Sequence, residues 1–207
     1  MKNLLLLSTT LLFVLLTSVS CNNNDEEIKN HRQKVEAFRK QKDKDYMVPE
    51  KTMLTAELMK DFEGLNYFPI DYKYNVKAQL TRLEDLPKIE IKTSTGNVSD
   101  YVIYGKLSFK IDRKSYELSV YQSARLVGTD RTKGALFVPF TDKTSGEETY
   151  GGGRYLVMDI SEGNQLNIDF NMAYNPFCVY NPEHSCPIPP AENDLPIKIP
   201  VGEVMYE

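Results

Sequence analysis

Hydrophobic positions change their spacing three times along the 207-residue chain. Leu4 to Val19 is a near-continuous apolar run behind Met1-Lys2-Asn3, broken by Ser8, Thr9 and Thr10. It is too short and too weakly flanked for a stable transmembrane helix, and residues 1–20 read as an export signal. In residues 28–64, Ile28, Val35, Phe38 and the stem of Arg39 fall at loosely helical spacing, which predicts a charged helical arm docking by one thin face. A second short helix is signposted by Thr55 as its cap, Leu54 and Met59 as a staple and Gly64 as its stop.

Beyond Gly64 the period falls to two. Tyr72, Tyr74, Val76, Ala78 and Leu80 alternate with polar residues, and Ile89 and Ile91 repeat the pattern briefly. Tyr101 to Ile111 alternates in two registers that slip near Gly105, which predicts a bulge or bend. Asp112-Arg113-Lys114 turns the chain into a hairpin partner with Tyr116, Leu118 and Val120. Further strands are expected at 135–140, 150–160 and 165–170, the last two flanking Ser161-Glu162-Gly163-Asn164 as a hairpin loop, with 197–201 closing the set. No helices alternate with these strands. The expected class is mainly β (α+β), an antiparallel sheet rolled into a barrel or sandwich over residues 65–207, with one or two N-terminal helices.

Composition narrows the partners. A formal charge of −4, from 25 basic and 29 acidic residues, argues against nucleic acid, which needs a basic face. Residues 25–63 carry 9 basic and 10 acidic side chains, a balance that also disfavours the arm as a membrane-binding helix. From Tyr150 onward there are 8 acidic residues against Arg154 and Lys198, and seven of the 11 prolines lie between Pro176 and Pro200. That stretch reads as a fixed, extended loop over the sheet.

Leu16-Thr17-Ser18-Val19-Ser20-Cys21 resembles a relaxed bacterial lipobox of the Bacteroidota type, in which Cys21 is lipidated and becomes the mature terminus. Ser18 stands where Leu or Val is usual. Asn22-Asn23-Asn24-Asp25-Glu26-Glu27 follows, so residues 21–27 read as a lipidated cysteine with an acidic tether that resembles a surface-export signal, or with a plain solvated spacer. Acyl chains would anchor the domain to the cell envelope, on the outer membrane, facing the periplasm or the surface.

Polar chemistry is densest in Thr149 to Leu156, Asp169-Phe170-Asn171, Tyr174-Asn175-Pro176-Phe177-Cys178, Cys186 to Pro190 and Glu192-Asn193. With Phe140 to Gly146 and Gly64 to Asp71, these segments resemble the bacterial family called domain of unknown function 1684, over about residues 30–205. The resemblance carries a family label and no activity.

On their own chemistry, Gly151-Gly152-Gly153-Arg154 could surround an anion with N–H groups and a guanidinium. The plainer reading has the glycines bending a strand where a neighbour approaches closely. Cys178 and Cys186 in an exported, proline-stiffened loop favour a disulfide. Free thiols, or zinc held with His184, are the alternatives, but the spacing fits no short zinc framework. Neither metal nor cofactor is expected. A serine triad lacks a Gly-x-Ser-x-Gly elbow, and His31 lies in the charged arm. Asp169 and Glu192 could work as an acid–base pair, and Asp142 reads as a turn residue.

The leading expectation is a lipid-anchored β domain binding a small polar or anionic ligand. Arg154, Asp169, Asn171, Tyr174, Asn175, Glu192 and Asn193 would line its pocket, with the Cys178–Cys186 loop as one wall. The alternatives are an envelope hydrolase using Asp169 or Glu192 with Arg154, and a structural or protein-interaction module. The sequence does not decide whether the chain is an enzyme.

Overall fold

The computed structural model describes the backbone of residues 2–125, 127, 135–159 and 163–206, and side chains from residue 24 onward. The side chains of the signal segment and of Cys21, and Ser161-Glu162 of the expected hairpin loop, lie outside the described residues. Helix α1 (Lys2–Tyr46) and the short α2 (Ala56–Lys60) precede the strands. Among the described residues no helix is long and apolar enough to cross a membrane.

The strands are β1 (Asn75–Arg82), β2 (Lys88–Lys92), β3 (Val98–Ile111), β4 (Lys114–Ser123), β5 (Ala135–Phe140), β6 (Arg154–Asp159) and β7 (Gln165–Asp169). They form one antiparallel sheet in the order β6-β5-β4-β3-β1-β7, with β2 on β3, curled into a half-barrel. The alternation read from the sequence is what fills it. Val76, Ala78 and Leu80 of β1, Leu107, Phe109 and Ile111 of β3, and Leu118 and Val120 of β4 join one buried core with Leu136, Val138, Phe140 and Ile168.

β3 is 14 residues long because it serves two neighbours in succession. Val98 to Val102 pairs with β2, and Gly105 to Phe109 pairs with β1. The changeover is the slip predicted at Gly105, where the ladder with β4 shifts register between Ile103 and Gly105. A Cβ at Gly105 would lie 2.4 Å from the Thr81 carbonyl oxygen, so the bulge needs glycine. The β3–β4 hairpin closes on Asp112 and Arg113, at φ 50° and 64°, the paired left-handed geometry of a two-residue turn.

Two expectations are corrected. β6 and β7 are consecutive in sequence, but β6 pairs with β5 and β7 with β1, at opposite ends of the strand order. Non-local ladders outweigh the local turn signal, and the curl brings both edges back toward each other. Residues 197–201 form no strand. They run as a strap whose backbone is held by side chains, since an extended segment off the sheet must find its hydrogen bonds elsewhere.

α1 docks by one face, as its spacing predicts, but that face is largely polar. His31, Val35 and Tyr46 are buried, with Phe38, Arg39 and Lys42 half-buried between them. The Arg39 guanidinium donates to the Phe68 carbonyl at 2.9 Å and lies over the Tyr67 ring, 4.4 Å from its centroid. Asp43 accepts the Leu65 N–H at 3.1 Å, and Tyr46 packs on Phe62 and Tyr180. Thr55 caps α2, accepting the Leu58 N–H at 3.3 Å. The helix stops at Asp61, three residues before Gly64.

Gly105→Ala should destabilise the domain by about 1–3 kcal/mol, because backbone rather than a yielding side chain occupies the Cβ position. Urea unfolding should show a lower midpoint with an unchanged slope.

Candidate functional site

Most of the motif residues are turned inward, where they hold chain segments together. Arg154 is 1% exposed, and the two terminal nitrogens of its guanidinium are engaged by the protein while its buried Nε has no hydrogen-bond partner. It donates to the carbonyls of Ile199 at 2.8 Å, of Glu203 at 3.2 Å and of Val201, and pairs with Asp142 at 3.3 Å. Burial lowers its pKa, and the nearby carboxylates of Asp142 and Glu203 oppose that shift. The expectation that Arg154 binds an external anion is corrected: its donors face the strap. Asp142 is more than a turn residue. It is buried and accepts the Ile199 N–H at 2.6 Å, with Thr144 donating from its N–H at 3.1 Å and its hydroxyl at 2.5 Å. Gly153 adopts φ +83°, and a Cβ there would meet the Phe140 oxygen at 2.5 Å, so these glycines serve close approach.

The three asparagines act as side-chain substitutes for peptide groups. Asn193, 0% exposed, accepts the Ser119 N–H at 2.8 Å and donates to the Ser119 and Pro139 carbonyls at 2.9 and 2.7 Å. It thereby bridges β4 and β5, whose pairing among the described residues is at Tyr121 and Phe137. Asn171 accepts the Asp71 N–H and returns a bond to the Asp71 carbonyl, both at 2.9 Å. Asn175 donates to the Val204 carbonyl at 2.8 Å, and its own N–H reaches Glu203 at 2.7 Å. All three are 1% exposed or less, so none lines an open pocket.

Glu203 is a second buried charge. It accepts from Tyr180 at 2.8 Å and pairs with Lys42 of α1, whose pKa burial lowers. The Lys42 ammonium sits over the Tyr174 ring, 4.4 Å from its centroid. Glu192 is exposed and accepts the Tyr121 hydroxyl at 2.8 Å. It shares no partner with Asp169, so the two carboxylates are not assembled as an acid–base pair.

Cys178 and Cys186 are free thiols rather than the expected disulfide, with the Cys186 sulfur accepting the Cys178 N–H at 3.2 Å. The seven residues between them bring the Cys186 sulfur against both the backbone N–H and the thiol of Cys178 without a bond between the sulfurs. Burial pushes the Cys186 thiol up to about 12. Among the described residues no group of three or more His, Cys, Asp or Glu is placed to hold a metal ion.

Asp169 is the motif carboxylate that faces an opening. It lies in a groove of about 660 Å³ at the seam between the two free sheet edges, lined by Leu156 to Asp159 of β6, Leu166 and Asn167 of β7, and α1. His31 of α1 crosses 138 residues of sequence to donate Nε2–H to Asp169 at 2.8 Å. The other Asp169 oxygen accepts from the Asn171 N–H at 3.1 Å and its side-chain amide at 2.9 Å, which fixes the carboxylate. The imidazole meets the edge of Tyr72, ring centroids 5.0 Å apart, and its buried Nδ1 has no hydrogen-bond partner. Tyr72 in turn is hydrogen-bonded to Glu27, which raises its pKa. In the sequence His31 reads as part of a charged arm. The available signal was its position three residues after Ile28 and four before Val35, on the docking stripe.

The fold and these buried staples define a half-barrel domain closed over by an N-terminal helix, with its opening at the seam. By sequence, the chain belongs to the family described as "Protein of unknown function (DUF1684)", whose model matches residues 60–204. His31 lies outside that match and Asp169 inside it. The chain is similar in structure to an uncharacterized protein from gene locus rrnAC0354 of Haloarcula marismortui, solved by solution NMR. That likeness has a TM-score of 0.68 and 34% identity over 87% of this chain and 97% of the other. A search of curated proteins returned no match.

Arg154→Met should cost about 3–5 kcal/mol, because it strands the buried Asp142 carboxylate and the strap carbonyls. Arg154→Lys, with no planar fork, should restore only part of this in urea unfolding. Iodoacetamide at pH 8 should label Cys178 well before Cys186. The stability that rests on the protonated Cys186 thiol is fully present below its ordinary value of 9.0 and is lost as pH rises toward about 12. Equal labelling rates at the two thiols would contradict this placement.

Proposed function

We propose that this protein is a lipid-anchored domain of the cell envelope that holds a small polar ligand in the seam groove. The observation that carries the binding part is the His31–Asp169 pair. A buried imidazole, oriented by a fixed carboxylate, keeps one nitrogen without a partner in the wall of a groove of about 660 Å³. Buried polar atoms are seldom left unpaired without a role, and binding sites combine apolar walls with a few convergent polar groups. Asn30, Asn75, Asn167 and Tyr72 add donors and acceptors, while Leu156, Met158 and Met172 supply apolar wall. The anchor part rests on the apolar run Leu4 to Val19 followed by Cys21. Cys21 stands ten residues before His31 on α1, about 15 Å of helix rise. The anchoring cysteine and the groove wall are therefore parts of one element.

The anionic half of the earlier expectation loses its main support, since Arg154 faces the strap. The hydrolase reading loses the same residue, and Glu192 is bound to Tyr121 away from Asp169. What favours it still is the His31–Asp169 pair, an arrangement suited to proton transfer.

Thermal-shift and NMR titration of the full chain against amines, polyols and amino acids tests the binding reading. A ligand at about a hundred times its Kd should add about 2.7 kcal/mol of stability. It should perturb His31, Tyr72 and Asn167, and His31→Ala should weaken it at least tenfold. Hits that perturb only residues away from the seam, or bind His31→Ala equally well, would contradict it. Cys21→Ser should release the protein from the membrane fraction, and a variant that stays membrane-bound would refute the anchor.

A further inference from the structure

A second groove of about 370 Å³ runs on from the seam groove, lined by Phe38, Tyr46, Met53, Val157, Tyr174 and Phe177 among others. Phe38 and Val157 line both grooves, so the two adjoin along α1. Their chemistry differs. The seam groove carries three carboxylates, Glu27, Asp159 and Asp169, against the single ammonium of Lys34. In the second, Lys42 is paired with Glu203 and Lys51 with Asp45, leaving an apolar surface. Val157 is 56% exposed and Phe177 37%, large apolar side chains left uncovered along these adjoining grooves.

We infer that the ligand is a single-tailed amphiphile with a cationic head. The inference rests on the binding reading above and specifies what that site takes. The head lies in the seam groove among the carboxylates and beside His31, and the tail crosses Val157 and Phe38 into the apolar groove. Charge selects the head: an anionic head would meet three carboxylates with one compensating ammonium. Apolar burial selects the tail, with affinity growing with each methylene taken from water.

The test uses the full chain with Cys21→Ser, so that no acyl chain is attached, and calorimetry below micelle-forming concentrations. Choline serves as the head alone. Butyl-, hexyl- and octyl-trimethylammonium report the tail, and octyl sulfate and octyl glucoside report the head charge. The trimethylammonium series should tighten about fourfold per added methylene. Octyl sulfate should bind at least tenfold more weakly than the ammonium of equal tail. Asp159→Asn, at an exposed position, should narrow that difference. Val157→Gln should flatten the dependence on tail length.

Choline that perturbs His31, with no gain from a longer tail, would overturn the amphiphile and leave the polar-ligand reading standing. Equal affinity for sulfate and ammonium heads would overturn the cationic head. No perturbation of His31 by any of the probes would overturn both readings. If the acylated protein excludes probes that the Cys21→Ser chain accepts, the trough holds the protein's own acyl chain and the inference falls.

Discussion

One buried guanidinium sets the terms for the rest of this structure. Arg154 opens β6, and its donors take up the backbone carbonyls of Ile199, Val201 and Glu203 while Asp142 balances its charge. A charge placed away from water is tolerated only where it is paired and hydrogen-bonded, and the terminal nitrogens of Arg154 meet that need through Asp142 and the strap carbonyls, which ties the strap down. Because the strap is fixed, Glu203 is fixed, and through Glu203 so are Asn175, Tyr180 and the α1 residue Lys42. Asn171 and Asn193 extend the same principle, using a side-chain amide wherever two backbone segments come close but do not form a ladder.

That constraint has a consequence at the sheet edge. Arg154 commits the start of β6 to the strap, and Tyr155 exchanges hydrogen bonds with Tyr174 at 2.8 and 3.0 Å. The outer side of β6 is thus engaged at one end by a segment that follows β7 in sequence. Its far end, Leu156 to Asp159, faces β7 across a gap rather than a ladder, and α1 lies over that gap. The seam is open because its first rung is already paired elsewhere. His31 and Asp169 meet there as a result of this topology, which also explains how residues so distant in sequence form one wall.

Period-two alternation made most strands legible, because one face of each is core: Val76-Ala78-Leu80 and Leu107-Phe109-Ile111 bury as their spacing demands. Gly105 was legible for the same reason, a slip in period with a glycine beside it. Pairing was not. The 161–164 segment reads locally as a hairpin turn, and nothing in β6 or β7 alone announces that each has a better partner in β5 or β1. The candidate site was legible as a set of residues and misread as to direction. Polar residues clustered in a motif look the same whether they face a ligand or a carbonyl, and Arg154, Asn171, Asn175 and Asn193 face carbonyls. The half-buried Asp169 lines the seam instead, and its partner His31 sits on a helix whose docking face is polar. An apolar-stripe criterion therefore gives His31 little weight.

The open seam is the feature on which the functional reading stands, and residue-resolved amide exchange along β6 tests it most directly. Tyr155 bonds outward to Tyr174, so alternation points the Val157 N–H outward to the seam and the Leu156 and Met158 N–H groups inward to β5. An open seam predicts a rapidly exchanging Val157 amide between two strongly protected neighbours. A Val157 amide as protected as Leu156, with cross-strand contacts to β7, would show that β6 and β7 are zipped together and that the groove does not exist.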